Sequence, residues 1–300
     1  MKNRRIKPDI MKTKFLFAII CLFFLTGCHF NNKNKSTEIE SKSSSHEKWS
    51  YSGESGPDYW PELEGQSVCN GQHQSPVNIS DIDTKPGKLV QESLDLYYQD
   101  ITTIKSITNN GHTIQYNFDA ESNFVSLHNK QYKLKQFHFH SPSEHTINGK
   151  HYPLEIHFVH HSEASNSYIV IAMLVELGEP DPAFDFLEKY LPINVDETKE
   201  INSNYYFGST FPEMYGKDTL NLYTYEGSLT TPPCTESVLW LVIKDPTYAS
   251  ASQIEMLQKL MPKNNYREVQ PLNGRIIYNE LVVDDISVLN HKITIETNNL

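Results

Sequence analysis

Nowhere in its 300 residues does this chain carry a glycine-rich phosphate loop of the GxxxxGK or GxGxxG kind, so it offers no cradle for a nucleotide. It also lacks an apolar run of the about 20 residues that crossing a bilayer requires. The longest such run, residues 15–25, has eleven. Positive charge is short as well: Lys and Arg number 26 against 37 Asp and Glu. Six of the 26, but only one of the 37, fall in residues 1–27. Residues 28–300 hold the other 20 basic and 36 acidic residues, a net charge of −16. A body that acidic repels phosphate backbones, which excludes nucleic acid as a partner. There is no internal repeat, and past residue 48 no linker recurs, so about 250 residues behave as one unit. Cysteine is scarce, at four residues.

The leader accounts for two of the four. Basic residues, a short apolar run and then Thr26-Gly27-Cys28 form the pattern of a secretory signal. Leu25-Thr26-Gly27-Cys28 also resembles a bacterial lipobox, in which the cysteine is lipidated and becomes the new N-terminus. Residues 1–27 are therefore read as a lipoprotein-type signal peptide, starting at Met1 or Met11. Residues 28–48, polar and rich in Ser, Lys and Asn, read as a tether. The protein is expected to be exported to the periplasm or cell envelope and held by lipid at Cys28. His29, where some lipoproteins carry an inner-membrane Asp, favours the outer membrane by analogy. Cys21 goes with the leader, which leaves Cys69 and Cys234, 165 positions apart. In an exported chain such a pair is expected to be a disulfide.

The remainder reads as strand-rich. Residues 113–119, 136–140, 154–161 and 237–243 alternate or are β-rich, and the continuous apolar run 168–177 suits a strand buried on both faces. Two helices are expected. One spans 182–191 with Asp181 as N-cap and Pro182 first, the other 253–261 with a capping box of Ser252 and Glu255. The fold class is mainly β (α+β), with peripheral short helices.

Histidine carries the chemistry. In Gln136-Phe137-His138-Phe139-His140, the two-residue period of a strand puts Gln136, His138 and His140 on one face and both phenylalanines on the other. The same rule groups Glu155, His157 and Val159 opposite Leu154, Ile156 and Phe158. With these faces together on neighbouring strands, three imidazoles converge beside an amide and a carboxylate. That is a three-ligand zinc site with its outer partners, and its fourth tetrahedral position is left to water, as catalytic zinc requires. Thirteen histidines make an isolated HxH pair cheap, and two rivals stand for the third ligand. His161 shares the face of His157 without a flanking carboxylate, and His160 points the other way.

The segments QFHFHSPSEHT (136–146), LEIHFVHH (154–161), NNGHTIQYNFD (109–119), GSLTTPPCTE (227–236) and QSPVNI (74–79) together resemble the α-class carbonic anhydrases. They stand in that family's order and spacing, and PLNGR (271–275) supports them. The SPSEH loop and the Cys after TTPP are similar to the secreted bacterial members. The resemblance runs from about Trp49 to Ile295 and implies one domain, residues 49–296, around a large, mostly antiparallel twisted sheet. It implies reversible hydration of carbon dioxide to bicarbonate and a proton, by a zinc-bound hydroxide with His-mediated proton transfer.

Carried over residue by residue, the resemblance makes His138, His140 and His157 the zinc ligands. Gln136 and Glu155 then accept the N–H of His138 and His157, and the backbone carbonyl near Asn265 serves His140. Thr230 orients the hydroxide with Glu144 accepting its proton, and His112 is the proton shuttle. Tyr51, Asn110, Gln115 and Thr231 hold water, while Val159, Val170, Leu229, Val238 and Trp240 form the apolar wall for carbon dioxide, with Thr231 at its edge. The partners implied are carbon dioxide and bicarbonate, with the membrane reached through Cys28; a homodimer is allowed. Two departures stand out: residues 205–221 fit the family pattern loosely, and Glu268 follows Arg267 where many relatives have Pro. A non-catalytic binding module is the competing reading, and the presence of all three histidines with Thr230, Glu144 and His112 speaks against it.

Overall fold

Alternation along the strands decides which face of one large sheet is chemical and which is structural. The computed structural model describes residues 49–63, 65, 67–87, 94–99, 101–118, 123–206 and 219–283. The leader, Cys28, the tether, residues 207–218 and residues 284–296 lie outside these. The strands are β1 (Asn78–Ile79), β2 (Lys85–Pro86), β3 (Leu94–Tyr97), β4 (Ile101–Asn109), β5 (Ile114–Phe118), β6 (Phe124–Leu127), β7 (Lys130–His140) and β8 (Thr146–Ile147). They continue as β9 (Leu154–Ser162), β10 (Ser167–Leu177), β11 (Glu197–Tyr206), β12 (Thr219–Gly227), β13 (Val238–Ile243), β14 (Thr247–Ala249) and β15 (Tyr278–Val283). Two α-helices, α1 (Pro182–Glu188) and α2 (Ala251–Gln258), accompany them among the described residues.

The main sheet runs β11-β4-β5-β7-β9-β10-β13-β12-β15-β2. Its pairings are antiparallel except β10 with β13 and β14, and β15 with β2. The sheet is thus mostly antiparallel, as expected. Across β7 and β9 the register sets His138 opposite His157 and Phe137 opposite Phe158. Because successive side chains alternate faces, Phe137, Phe139, Ile156 and Phe158 enter a large core with Ile169, Ile171 and Met173 of β10, closed by Phe184 and Leu187 of α1 and Ile254 and Leu257 of α2. Val170, Ala172, Val238, Trp240 and Val242 form a second cluster with Tyr225. Residues 169–175 of the run are buried on both faces accordingly, while Leu177 at its end is exposed, and each fully buried aliphatic side chain contributes about 1.5–3 kcal/mol.

Both helices depart from expectation at an end. Helix α2 begins at Ala251, because its capping box is Ser250 with Gln253 rather than Ser252 with Glu255. Ser250 Oγ accepts the Gln253 N–H, Gln253 Oε1 accepts the Ser250 N–H, and the Gln253 amide also donates to Asp181 O and Asp185 Oδ1. A side-chain amide that satisfies these three partners while buried outcompetes an exposed carboxylate two residues on. Helix α1 has the expected cap, Asp181 Oδ1 accepting from Ala183 N at 2.8 Å, but it stops at Glu188. Leu191 precedes Pro192, and a residue before proline is pushed out of the helical region.

His160, on the core face of β9, is fully buried, with Nε2 2.7 Å from the Tyr98 hydroxyl and Nδ1 3.2 Å from Ile169 O. Burial lowers its pKa to about 4. Unfolded, the same imidazole takes a proton below about 6.5, so this group makes the fold lose stability as pH falls from about 6.5 to 4. Replacing His160 with glutamine, which can still donate and accept, is expected to narrow the difference in unfolding free energy between pH 7.5 and 4.5 by about 2.5 kcal/mol. Urea titrations at the two pH values measure this; an unchanged difference would contradict it.

Candidate metal centre and active site

Three imidazoles meet on the open face of β7 and β9. The ring centroids of His138, His140 and His157 lie 5.0, 5.2 and 4.6 Å apart pairwise, and one nitrogen from each lies within 4.8 Å of the other two. The remaining nitrogens are engaged. His138 Nδ1 donates to Gln136 Oε1 (2.8 Å), His140 Nδ1 to the carbonyl of Asn265 (2.7 Å) and His157 Nε2 to Glu155 Oε1 (2.7 Å). These bonds leave His138 Nε2, His140 Nε2 and His157 Nδ1 to face one another. His140 Nε2 is buried without a hydrogen-bond partner. Burial holds all three pKa values below the ordinary histidine value, that of His140 at about 4, and neighbouring imidazoles lower those of His138 and His157 further. Neutral nitrogens with a fixed tautomer, one of them orphaned, are the donor set a divalent metal takes. His160 lies in the core and His161 is half-buried beside Asn166 and Tyr168, so neither joins the cluster.

Glu155 holds more than one histidine. Its Oε1 also accepts from His145 Nδ1 (2.6 Å), and its Oε2 accepts from the His145 backbone N–H (2.8 Å). Burial pushes the Glu155 pKa up, but the charges and hydrogen bonds of His145 and His157 outweigh it and hold the pKa well below the usual value. The Tyr225 hydroxyl lies 2.7 Å from His145 Nε2 and 2.9 Å from Ser75 Oγ. His145 is fully buried and orients the acceptor of a candidate ligand.

Glu144 is fully buried beside the cluster, 3.5 Å from His140 Nδ1 and 3.9 Å from His157 Nδ1. Its Oε1 accepts the Arg267 N–H (3.0 Å), while Oε2 makes no hydrogen bond of ordinary geometry. Burial raises its pKa to about 7, opposed by the charge of His157 and by the nearby Thr230 hydroxyl. Thr230 is buried, in a loop closed by Leu229 N to Thr235 O and Cys234 N to Thr231 O. The disulfide Cys69–Cys234 pins that loop. Val159, Val170, Leu229, Val238 and Trp240 belong to one apolar cluster on the histidine face, and Thr231 is half-buried next to Thr230.

His112 sits half-buried in a turn built by its neighbours. Asn110 Oδ1 accepts the N–H groups of His112 and Thr113, both at 2.9 Å, and Gly111 takes the positive φ of +78°. The His112 ring stacks on Trp49 at 3.6 Å, with Tyr51 edge-on at 6.3 Å. Burial first, and the charge of Glu144 second, raise the Tyr51 pKa well above its usual value. Gln115 stands opposite His138 across β5 and β7 and donates to Asn117. Asn110 is exposed, with its side-chain oxygen committed to the turn, so it holds His112 in place directly.

Residues 55–281 match the sequence model of the eukaryotic-type carbonic anhydrases. The chain belongs to the α-class carbonic anhydrase family. A carbonic anhydrase of Pectobacterium atrosepticum is 36% identical over 269 residues, spanning 89% of this chain and 99% of the relative. One from Neisseria gonorrhoeae is 36% identical over 234 residues, 77% of this chain and 88% of the relative. Among solved structures, the α-carbonic anhydrase of Thermovibrio ammonificans, in complex with the inhibitor sulfanilamide, superposes with a TM-score of 0.70 at 36% identity. That match covers 77% of this chain and 98% of the other. Within this carbonic anhydrase chain, sequence reasoning missed His145, Tyr225 and Arg267. Their contacts reveal them; the SPSEH motif contains His145 but does not show its bond to Glu155.

Proposed function

We propose that this chain is a zinc enzyme that interconverts carbon dioxide and bicarbonate, with His138, His140 and His157 holding the metal. The observation that carries the reading is the set of three neutral imidazoles whose outward nitrogens are all engaged and whose inward nitrogens converge. A zinc ion bound there supplies Lewis acidity that makes a nucleophilic oxygen available at neutral pH. A divalent charge on the imidazoles also favours ionised Glu144. The chain's own residues do the rest. Thr230 can accept a hydrogen bond from the attacking oxygen only while its own proton goes to Glu144, and this aims a lone pair of that oxygen at the substrate. Carbon dioxide is small and apolar, so the wall of Val159, Val170, Leu229, Val238 and Trp240 admits it without a charged group. His112, at the rim, takes the departing proton to bulk buffer, since an imidazole titrates near neutrality.

Stopped-flow hydration by the purified protein, with and without a zinc chelator, tests the reading. Rapid turnover that chelation removes is expected; a folded, zinc-loaded but inert protein would favour the binding-module reading. His112→Ala is expected to slow turnover about 10-fold or more in weak buffer, to keep its zinc, and to recover with added imidazole. Failure of that rescue at normal zinc content would put the shuttle elsewhere.

Export and lipid attachment at Cys28 are part of the proposal. The basic n-region, the short apolar run and the Leu25–Cys28 pattern support them, and a disulfide suits an oxidising compartment. Among the described residues no helix is long and apolar enough to cross a membrane. Mass spectrometry of the membrane fraction would show a lipid-modified Cys28 as the N-terminus; a mature chain beginning past Cys28 and recovered in the soluble fraction would refute it.

A further inference from the structure

Residues 265–267 belong to no helix or strand, yet they touch three parts of the site. The Asn265 carbonyl accepts from His140 Nδ1 (2.7 Å), and its side chain binds Ser141 N (2.8 Å), Phe139 O (3.0 Å) and the backbone carbonyl of His112 (3.0 Å). Two residues on, the Arg267 N–H holds Glu144 Oε1. A segment without a ladder of its own needs an anchor, and the Arg267 side chain is that anchor.

The Arg267 side chain is buried, its guanidinium stacked 5.7 Å over the Trp60 ring. Nη1 donates to Gln74 Oε1 (2.8 Å) and Ser75 O (3.0 Å), and Nη2 donates to Cys69 O (2.8 Å). Gln74 in turn donates to Cys234 O (3.2 Å), at the far side of the disulfide and four residues from Thr230. All three acceptors are carbonyl oxygens, not carboxylates, so the fork is held by shape more than by charge. A planar guanidinium spans three such acceptors, and the point charge of a lysine does not.

We propose, on the reading of this chain as a zinc hydrase, that Arg267 is a positioning residue for the reaction. Its guanidinium clamps residues 265–267 to the 69–75 segment and thereby aims Glu144 through the Arg267 N–H and His140 through the Asn265 carbonyl. The carboxylate that orders Thr230 and the loop that carries Thr230 are thus tied to one side chain. Misplacement of a catalytic group by about 1 Å costs about 100-fold in rate, so a looser anchor has room to act without unfolding the site.

The test uses full-length wild type, Arg267→Lys, Gln74→Met, Glu144→Gln and the Arg267→Lys/Glu144→Gln double variant. Zinc affinity is read by competition with a chromophoric chelator, and hydration by stopped flow. Arg267→Lys is expected to weaken zinc binding about 10-fold, as loss of an outer partner of a ligand does. It is also expected to lower kcat/KM about 10-fold or more, with the His112-dependent response of kcat to buffer retained. With zinc kept saturating, so that the His140 route is silent, the same change in the Glu144→Gln background is expected to lower kcat/KM less than about twofold, because the remaining effect runs through Glu144. A lower melting temperature with wild-type zinc affinity and wild-type kcat/KM would overturn the proposal, as would a full, additive loss in the double variant. Should Arg267→Lys fail to fold, Gln74→Met, which removes one acceptor of the fork, is expected to move both readouts the same way by a smaller factor. No change in either would overturn the proposal equally. If wild type binds zinc but does not hydrate carbon dioxide, the functional reading fails by itself, and the zinc-affinity arm alone decides Arg267.

Discussion

Replacing His140 with alanine is expected to leave the protein without tightly bound zinc and with hydration reduced at least about 1,000-fold, corresponding to the several kcal/mol of charge stabilisation that a catalytic metal supplies. His140 is the candidate ligand whose inward nitrogen has no alternative partner and whose other nitrogen is held by a backbone carbonyl that cannot swing away. A site reduced to His138 and His157 loses one of three protein ligands, and two imidazoles hold zinc poorly against solvent. Elemental analysis after dialysis and stopped-flow hydration measure both effects. His161→Ala is the control, since His161 is half-buried on the face of β9 that carries His157 but lies outside the cluster, and it is expected to keep full zinc. Stoichiometric, tightly held zinc in His140→Ala would refute the ligand assignment.

Removal of the disulfide is expected to have the largest effect on stability. Cys69 and Cys234 are 165 positions apart, and in the chain-entropy account closing a loop of that length stabilises the fold by about 5 kcal/mol. The bond is buried with Trp60 and Leu63, and Trp49 and Tyr51 pack against the same cluster. Cys69→Ala/Cys234→Ala should therefore lower the unfolding free energy by up to about 5 kcal/mol, read from urea titrations, and wild type titrated with reductant should fall by a similar amount. Because Cys234 closes the Thr230 loop, hydration is expected to decline at denaturant concentrations where wild type is still fully active. A difference below about 1 kcal/mol would mean that the cross-link adds little to what the packed cluster already provides.

How much is legible in the sequence differs from residue to residue. Period-two alternation separates His138 and His140 from Phe137 and Phe139 because a strand offers no other arrangement, and the structure has these residues on opposite faces. Alternation cannot choose among His157, His160 and His161. Register across β7 and β9 can, by setting His157 opposite His138 and leaving His160 in the core beside Tyr98. The start of helix α2 lies two residues before the expected one, since two overlapping capping patterns look alike in sequence and only the buried partners of Gln253 decide between them. His145 lies in the SPSEH motif, but its role is not readable there either. Its importance comes from Glu155, ten residues away, and from Tyr225, eighty residues away.

Composition and short-range pattern by themselves determined the acidity of the body, the strand-rich class and the two faces of each strand. These come from local chemistry: charge, hydropathy and a backbone with a two-residue period. Only the tertiary structure decided which nitrogen of each imidazole is inward, that Glu144 is buried against His140 and His157, and that residues 265–267 brace both. The orientation of His140 and the bracing of Glu144 depend on hydrogen bonds between segments more than 100 residues apart, Asn265 with His140 and Arg267 with Glu144. Sequence separation carries no information about such contacts until strand register and packing bring the partners within about 3 Å.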